Sequence, residues 1–187
     1  MNIYKKWQNS EISEGKRLFA LVIGALIFPI IIPAILIFLL PQVDIIIGIE
    51  SFFVGFGNII SGVIAIIIGG FLALWTIIAQ YKLASGTPFP MLPTKKLIIV
   101  GPFKYCRNPM TLGTIMVYSG VAILIGSYTA LFVIVIFSLI LIVYLKLLEE
   151  KELEMRFGKE YLEYKKNTPF ILPISIVKVE KAYKYEK

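Results

Sequence analysis

Long uncharged apolar runs alternate with polar segments along this chain, and the pattern predicts membrane-spanning helices. The first run, residues 18–40, has no charged residue over 23 positions. As a helix rising 1.5 Å per residue it extends about 34 Å, enough to cross a hydrocarbon core of roughly 30 Å. Pro29 and Pro33 lie within this run, where proline is expected to kink a membrane helix rather than end it. We therefore expect a kinked transmembrane helix, with Pro41-Gln42 and Asp44 marking the far side of the membrane.

A second uncharged run covers residues 51–81, and its 31 positions exceed what one untilted helix needs. We place the second span at about residues 57–81 and interpret residues 45–56 as an interfacial or re-entrant segment before it. Small side chains recur every fourth residue within the span, at Ser61, Ala65, Gly69 and Ala73. A face of small residues predicts a neighbouring helix at close approach.

The third uncharged run, residues 108–145, is long enough for two helices. It divides at Gly126 and Ser127 into two spans of about 19 residues each, which predicts a helical hairpin with a tight turn. The polar loop before the hairpin, residues 82–109, contains Gly86 and several prolines, so we do not expect one continuous helix there.

The segment after the hairpin is charged but amphipathic. It begins at Glu149 and reads EEKELEMRFGKEYLEYKK. One helical face collects its apolar side chains, which are Leu153, Phe157, Tyr161 and Tyr164. This spacing predicts an amphipathic helix that lies on or under the membrane surface, followed by a basic tail at residues 174–187.

Composition supports the same interpretation. Of the 187 residues, 58% are hydrophobic, and the mean hydropathy is +0.83. Both values are well above those of soluble domains. We predict an all-α, multi-pass integral membrane protein with about four transmembrane helices in one membrane domain. Within it, residues 1–84 form a two-helix anchor, residues 85–173 form the functional unit and residues 174–187 form the tail.

The 19 lysines and arginines are distributed unevenly about the predicted spans. All of them lie in the N-terminal segment, in the loop at residues 82–109 or after residue 145, whereas the two outer connections carry only Asp44 and Glu50. The positive-inside rule therefore places both termini and the central loop in the cytoplasm. Basic segments of this kind fit anionic lipid headgroups, and no nucleic-acid partner is predicted.

Two features of the composition limit the chemistry. The chain has no histidine, which removes the commonest general base and the commonest metal ligand, and no metal site is predicted. Its single cysteine, Cys106, cannot form a disulfide within the chain.

Polar residues with anion-binding chemistry precede the hairpin. Gly101-Pro102 predicts a backbone turn that a ligand can approach closely. Arg107 offers a bidentate cationic fork for a carboxylate or phosphate. Asn108-Pro109 predicts a helix start with a polar N-cap and free amide donors, which favour an anion.

Two adjacent carboxylates, Glu149 and Glu150, stand at the other end of the hairpin. Because the hairpin returns the chain to the same membrane surface, we expect them to lie near Arg107. Carboxylates there can accept hydrogen bonds from hydroxyl or amino groups, or stabilise a cation. An arginine, a polar loop and two carboxylates over one hairpin indicate a ligand site.

The sequence around these residues resembles the superfamily of isoprenylcysteine carboxyl methyltransferases and phospholipid methyltransferases. The resemblance rests on GPFKYCRNPMTLG at residues 101–113 and EEKELEMRFGKEYLEYKKNTPFILP at residues 149–173, with 35 residues between them. It implies an integral-membrane methyltransferase that uses S-adenosylmethionine. The implied methyl acceptor is a lipid or another lipophilic molecule that enters from the bilayer.

Carried over to this chain, the resemblance assigns the cofactor pocket to both motifs. The cofactor-binding residues that it implies are Gly101, Tyr105, Arg107, Asn108, Pro109, Met110, Gly113, Glu149 and Glu150. The catalytic residues that it implies are Arg107, Asn108 and Glu150. Arg107 and the helix amides suit the methionyl carboxylate, and the carboxylates suit the ribose hydroxyls, the amino group or the sulfonium charge.

Two positions depart from the superfamily pattern. Asn108 stands where the prenylcysteine carboxyl methyltransferases have His, and Asn also occurs there in phosphatidylethanolamine-type enzymes. Thr111 stands where the superfamily usually has Tyr. The chemical class of the acceptor, whether carboxylate, thiol or amine, therefore stays open at this point, and so does the oligomeric state.

Two other functions compete with methyl transfer. A membrane reductase of similar helical architecture would bind NADPH, but such enzymes are normally longer, and nothing in the sequence indicates a site for the 2′-phosphate. A non-catalytic four-helix membrane protein is the second alternative. A small cation exporter would be expected to carry a carboxylate within the membrane, and the predicted spans carry no charge.

Overall fold

The computed structural model describes residues 14–53, 55–83 and 97–173. Within these ranges the chain is helical and contains no β-strand, so the predicted all-α class is confirmed. Gly86, the prolines near it and the basic tail lie outside the described residues. The division of the chain into anchor, functional unit and tail stays a prediction.

The N-terminal helix, residues 14–46, is continuous but irregular. Its parts are α1 (Glu14–Leu26), a π turn (Ile27–Ile31), α2 (Ile32–Ala34), a second π turn (Ile35–Leu39) and α3 (Leu40–Ile46). Each π turn ends two residues before a proline, Pro33 or Pro41. Since proline has no N–H and crowds the carbonyl four residues earlier, the wider turn accommodates it without ending the helix. The helix continues through Pro41 to Ile46, so Asp44 lies in its last turn.

One consequence of Pro33 is a free carbonyl that a neighbouring helix uses. In the first π turn the N–H of Ile32 donates to the oxygen of Ile27, five residues back. The next donor in that register would be Pro33, which has none, so the oxygen of Phe28 is left for another partner. The hydroxyl of Tyr118 donates to it at 2.9 Å. A partly buried backbone carbonyl thereby joins two helices.

A non-helical connection leads from the N-terminal helix to α4 (Phe56–Leu83). The N–H of Phe52 donates to the carbonyl of Gly126 at 2.9 Å. The centre of the Phe52 ring lies 4.8 Å from that of the Tyr128 ring. Residues 45–56 are therefore a helix end and a connection that pack on the turn of the hairpin, with no re-entrant helix among the described residues.

The predicted hairpin is confirmed as α5 (Pro109–Ile125) and α6 (Tyr128–Tyr144). Gly126 has a φ of +66°, which glycine adopts without strain, and it ends α5. The hydroxyl of Ser127 accepts a hydrogen bond from the N–H of Ala130 at 3.0 Å and so caps α6.

The C-terminal part departs from the prediction of one amphipathic helix. A π turn (Leu145–Glu149) continues α6 into α7 (Glu150–Phe157), and Gly158, with a φ of +56°, separates α7 from α8 (Lys159–Asn167). Tyr161 and Tyr164 are buried against the rest of the protein. The two tyrosines pack on the loop before the hairpin, and the position of these helices at the membrane surface stays a prediction.

Helices α4 and α5 pack at glycine–glycine contacts. A Cβ atom placed on Gly69 would lie 2.6 Å from the carbonyl oxygen of Gly113, and one on Gly120 would lie 2.7 Å from that of Gly62. The predicted small-residue face is thus confirmed for Gly69, although Ser61 is exposed and bonds to its own helix. Close backbone approach of this kind requires the absence of side chains.

In the part of the chain that the structure describes, three helices are long and apolar enough to cross a membrane, namely Val22–Ile46, Phe56–Lys82 and Tyr128–Phe157. The apolar helix Pro109–Ile125 is shorter, at 17 residues. That length gives about 26 Å, the lower limit for a span. The prediction of an integral membrane protein is supported, and the count of four spans stays a prediction.

Candidate active site

The loop before the hairpin, described from residue 97, rests on the last turns of α4. Gly101 has a φ of +62° and begins a short 3₁₀ turn (Gly101–Lys104) in which Pro102 is buried. A Cβ on Gly101 would lie 3.5 Å from Nε1 of Trp75, so the turn is in contact with that indole. The predicted backbone turn is confirmed, and the positive φ explains the glycine.

Tyr105 and Cys106 follow the turn in opposite environments. The ring of Tyr105 is exposed and lies 6.1 Å from that of Trp75. Cys106 is buried, and this burial raises the pKa of its thiol to about 11. The thiol is therefore neutral at physiological pH and is not a nucleophile.

Arg107 is held from three sides. Its backbone N–H donates to the carbonyl of Pro169 at 2.9 Å, and Nε donates to the carbonyl of Thr168 at 3.1 Å. Nη1 forms an ion pair with Oε1 of Glu150, and the guanidinium carbon lies 5.5 Å from the centre of the Phe170 ring. The side chain is only 10% exposed. The loop that carries Arg107, the helix start at Glu150 and the C-terminal segment Thr168–Phe170 therefore meet at this residue.

Asn108 occupies the N-cap position of α5, but its side chain does not cap the helix. Nδ2 donates instead to the carbonyl of Phe170 at 2.9 Å. Pro109 is the first helical residue, as predicted, and is buried. The predicted helix start at Asn108-Pro109 is confirmed, and the amides of the first helical turn receive no hydrogen bond from the Asn108 side chain.

Glu150 lies between two cations. It is 4% exposed; Oε1 binds Arg107, and Oε2 lies 2.7 Å from Nζ of Lys165. The same ammonium lies 2.8 Å from Oε1 of Glu154. These contacts, first with Glu150 and then with Glu154, raise the pKa of Lys165 above its ordinary value, so the lysine stays charged.

Two tyrosines of α8 lie beside these charged groups. The hydroxyl of Tyr161 lies 3.5 Å from Nη1 of Arg107, and burial raises the pKa of this hydroxyl. The hydroxyl of Tyr164 donates to the carbonyl of Phe103 at 2.7 Å. We call Arg107, Glu150, Tyr161 and Lys165 the charge cluster. Through their hydroxyls, Tyr161 contacts Arg107 and Tyr164 bonds to Phe103, and both contacts attach α8 to the loop.

The structure divides the predicted site residues into groups. Arg107 pairs directly with Glu150, and Arg107 and Asn108 both bond to the C-terminal segment. Glu149 is partly buried, and within the described part of the chain it forms no hydrogen bond or ion pair. Gly113 lies in the contact with Gly69 of α4, where its missing side chain serves helix packing.

Sequence reasoning missed Lys165, Thr168–Phe170 and Trp75 as neighbours of the site. Tyr161 and Tyr164 were predicted only as part of the apolar face of an amphipathic helix. The repeated spacing of the tyrosines was the available signal, but it is equally compatible with a helix on a membrane surface. Only the position of α8 against the loop distinguishes the two.

One family model matches the chain, that of the family described as Phospholipid methyltransferase, and the match covers residues 58–160. This is more than half of the 187 residues and includes Arg107, Asn108, Glu149 and Glu150. The residues of α8 from Tyr161 onward lie beyond the matched range. No curated protein and no solved structure matches the chain.

Proposed function

This chain belongs to the phospholipid methyltransferase family, and we propose that it transfers the methyl group of S-adenosylmethionine to a lipid or lipophilic acceptor. The family and the apolar helices make it a membrane methyltransferase. The observation that carries the cofactor assignment is the convergence of three segments, which are the loop at Arg107 and Asn108, the helix start at Glu150 and the C-terminal segment Thr168–Phe170.

The cluster fits the amino-acid end of the cofactor. Nε and Nη1 of Arg107 are used within the protein, whereas no hydrogen bond between described residues uses Nη2. The amides of the first turn of α5 also receive no side-chain cap. Nη2 and these amides are donors of the kind that bind a carboxylate. We assign the methionyl carboxylate to them.

The two glutamates have different roles in this proposal. Both oxygens of Glu150 are engaged by cations of the protein, so Glu150 orients Arg107 and does not itself contact the ligand. No hydrogen bond or ion pair between described residues uses the Glu149 carboxylate, although the charge of Arg156 acts on it, and we assign it to the amino group, a ribose hydroxyl or the sulfonium. This replaces the catalytic role that the resemblance implies for Glu150 with a positioning role.

The aromatic pair Trp75 and Tyr105 suits the base of the cofactor. Tyr105 is exposed, and the two rings lie 6.1 Å apart beside the Gly101 turn. Aromatic rings offer flat, weakly hydrated surfaces on which a planar base can stack. This contact also agrees with the resemblance, which places Tyr105 in the cofactor pocket.

The bound cofactor supplies an electrophilic methyl group on a sulfonium, which an acceptor takes up by in-line displacement. The protein contributes mainly orientation and exclusion of water, since little other chemistry is required. A carboxylate or thiolate acceptor needs no base. An amine acceptor must lose its proton, and with no histidine in the chain Glu149 or water is the group that receives it.

We place the site at the cytoplasmic surface. The basic residues flanking the spans favour this orientation by the positive-inside rule, and Arg107 and Lys165 lie at the same end of the hairpin. A lipid acceptor then reaches the site from the inner leaflet, beside the exposed aromatic residues Phe71 and Tyr105.

Calorimetric titration of the detergent-purified protein with S-adenosylmethionine tests the proposal, with NADPH as the comparison. We expect micromolar binding of S-adenosylmethionine and none of NADPH. Lipid extracts incubated with the methyl-labelled cofactor then identify the acceptor. A folded protein that binds NADPH and not S-adenosylmethionine would replace methyl transfer with reduction, and one that binds neither would leave a non-catalytic membrane protein.

A further inference from the structure

Lys165 is the second cation on Glu150, and it comes from a part of the chain beyond the family match. Nζ lies 2.7 Å from Oε2 of Glu150 and 2.8 Å from Oε1 of Glu154. The match ends at residue 160, whereas Lys165 is in the second turn of α8. Helix α8 is held in place independently by Tyr164, whose hydroxyl binds the loop at Phe103.

We propose that Lys165 is a positioning residue that occupies one oxygen of Glu150 and thereby keeps Nη2 of Arg107 available to the cofactor. This inference rests on the proposed function. It assigns to α8 a part in cofactor binding and not only in the stability of the fold.

Carboxylates pair with arginine in a preferred geometry. A carboxylate beside a guanidinium prefers two parallel hydrogen bonds, one from each of two nitrogens. In the structure Glu150 uses only Oε1 toward Arg107, through Nη1, because Oε2 is bound to Lys165. Without the lysine, Oε2 is free to turn toward the guanidinium. Pairing through both oxygens would then use Nη2, the donor that the ligand needs.

Charge balance supports the same role. Two cations, Arg107 and Lys165, face two carboxylates, Glu150 and Glu154, and the hydroxyl of Tyr161 adjoins them. Glu150 and Arg107 are nearly inaccessible to water, so each charge there must be compensated by the protein. Removing Lys165 leaves the carboxylates in excess and strengthens the hold of Glu150 on Arg107.

The chain offers a matched control in Lys166, which is exposed on the same helix. Lys165→Met should raise the Kd for S-adenosylmethionine about tenfold, since it costs the ligand one charge-assisted hydrogen bond. Lys165→Arg keeps a cation on Glu150 and should restore most of the affinity. Lys166→Met should bind like the wild type. At saturating cofactor the turnover number of Lys165→Met should be close to that of the wild type.

Thermal unfolding of each full-length variant in the same detergent separates positioning from folding. A Lys165→Met protein that is less stable but binds with wild-type affinity would overturn the proposal. So would loss of affinity that Lys165→Arg fails to restore. If Lys165→Met does not fold, Lys165→Gln, which keeps a donor but no charge, is measured in its place and should bind more weakly than Lys165→Arg.

The controls also separate this proposal from the function on which it rests. A wild-type protein that binds no S-adenosylmethionine refutes the proposed function, and the role of Lys165 falls with it. A wild-type protein that binds the cofactor, together with a Lys165→Met variant of unchanged Kd, refutes only the positioning role.

Discussion

The carboxylate of Asp44 accepts a hydrogen bond from the backbone N–H of Thr129 at 2.9 Å, so the last turn of the N-terminal helix caps the start of α6. The hydroxyls of Ser127 and Thr129 donate to the same carboxylate, which is only 4% exposed. The first amides of a helix lack partners within the helix, and its dipole favours an anion at that end. Asp44 therefore joins the N-terminal helix to the hairpin.

Asp44→Ala is expected to destabilise the protein strongly. It leaves two hydroxyls and one amide without their acceptor in a buried position, at a cost of about 2–4 kcal/mol. Thermal unfolding in detergent measures the loss. Glu50→Ala is the control, because Glu50 is exposed on the connection that follows this helix. Equal midpoints for the two variants would show that the Asp44 contacts contribute nothing.

The ion pair of Arg107 and Glu150 should show strong energetic coupling. Both side chains are buried, so removing one leaves the other charge uncompensated, at a cost of about 3–5 kcal/mol. We expect the losses in free energy of unfolding of Arg107→Met and Glu150→Leu to add up to more than the loss in the double variant. A double-mutant cycle in thermal unfolding measures the coupling, and additive losses would argue against the pair.

Gly69 and Gly70 provide a direct test of the contact between α4 and α5. A Cβ on Gly69 would meet the carbonyl oxygen of Gly113 at 2.6 Å, whereas one on Gly70 meets nothing within 4 Å. Gly69→Ala must push the helices apart and should cost about 1–3 kcal/mol. Gly70→Ala should leave stability unchanged or slightly higher, because alanine favours the helix. The reverse order of unfolding midpoints would contradict the packing.

Cys106 is expected to resist alkylation in the folded protein. It is 2% exposed, and its pKa of about 11 lies above that of an ordinary thiol, so the reactive thiolate is scarce below that pH. At pH 8 the thiolate fraction is about 0.1%. Mass spectrometry after maleimide treatment should show no adduct until denaturant is added. Since the chain has one cysteine, any adduct on the native protein reports on this position and would contradict its burial.

Features that depend on neighbouring residues along the chain were predictable from the sequence. The hairpin turn at Gly126 was predictable because glycine adopts a positive φ and the apolar runs on both sides have helical length. The neighbourhood of Arg107 and Glu150 was predictable because a hairpin of two similar helices returns the chain to its starting surface. The close approach at Gly69 followed from a four-residue period of small side chains.

Features that depend on how helices pack on one another could not be predicted from the sequence. Asp44 was assigned to an exposed connection, because nothing local indicates that its partners are Ser127 and Thr129, more than eighty residues later. The tyrosines of α8 were assigned to a membrane surface, because an apolar face does not specify what covers it.

The sequence by itself thus determined that this is an all-α membrane protein, which of its segments are apolar helices, and which residues carry anion-binding chemistry. Length and hydropathy are properties of consecutive residues and need no tertiary information. Only the tertiary structure decided that Lys165 and Thr168–Phe170 hold Arg107 and Glu150. Contacts across such sequence separations depend on the relative positions of packed elements, which Gly158 and the break between α7 and α8 set in three dimensions.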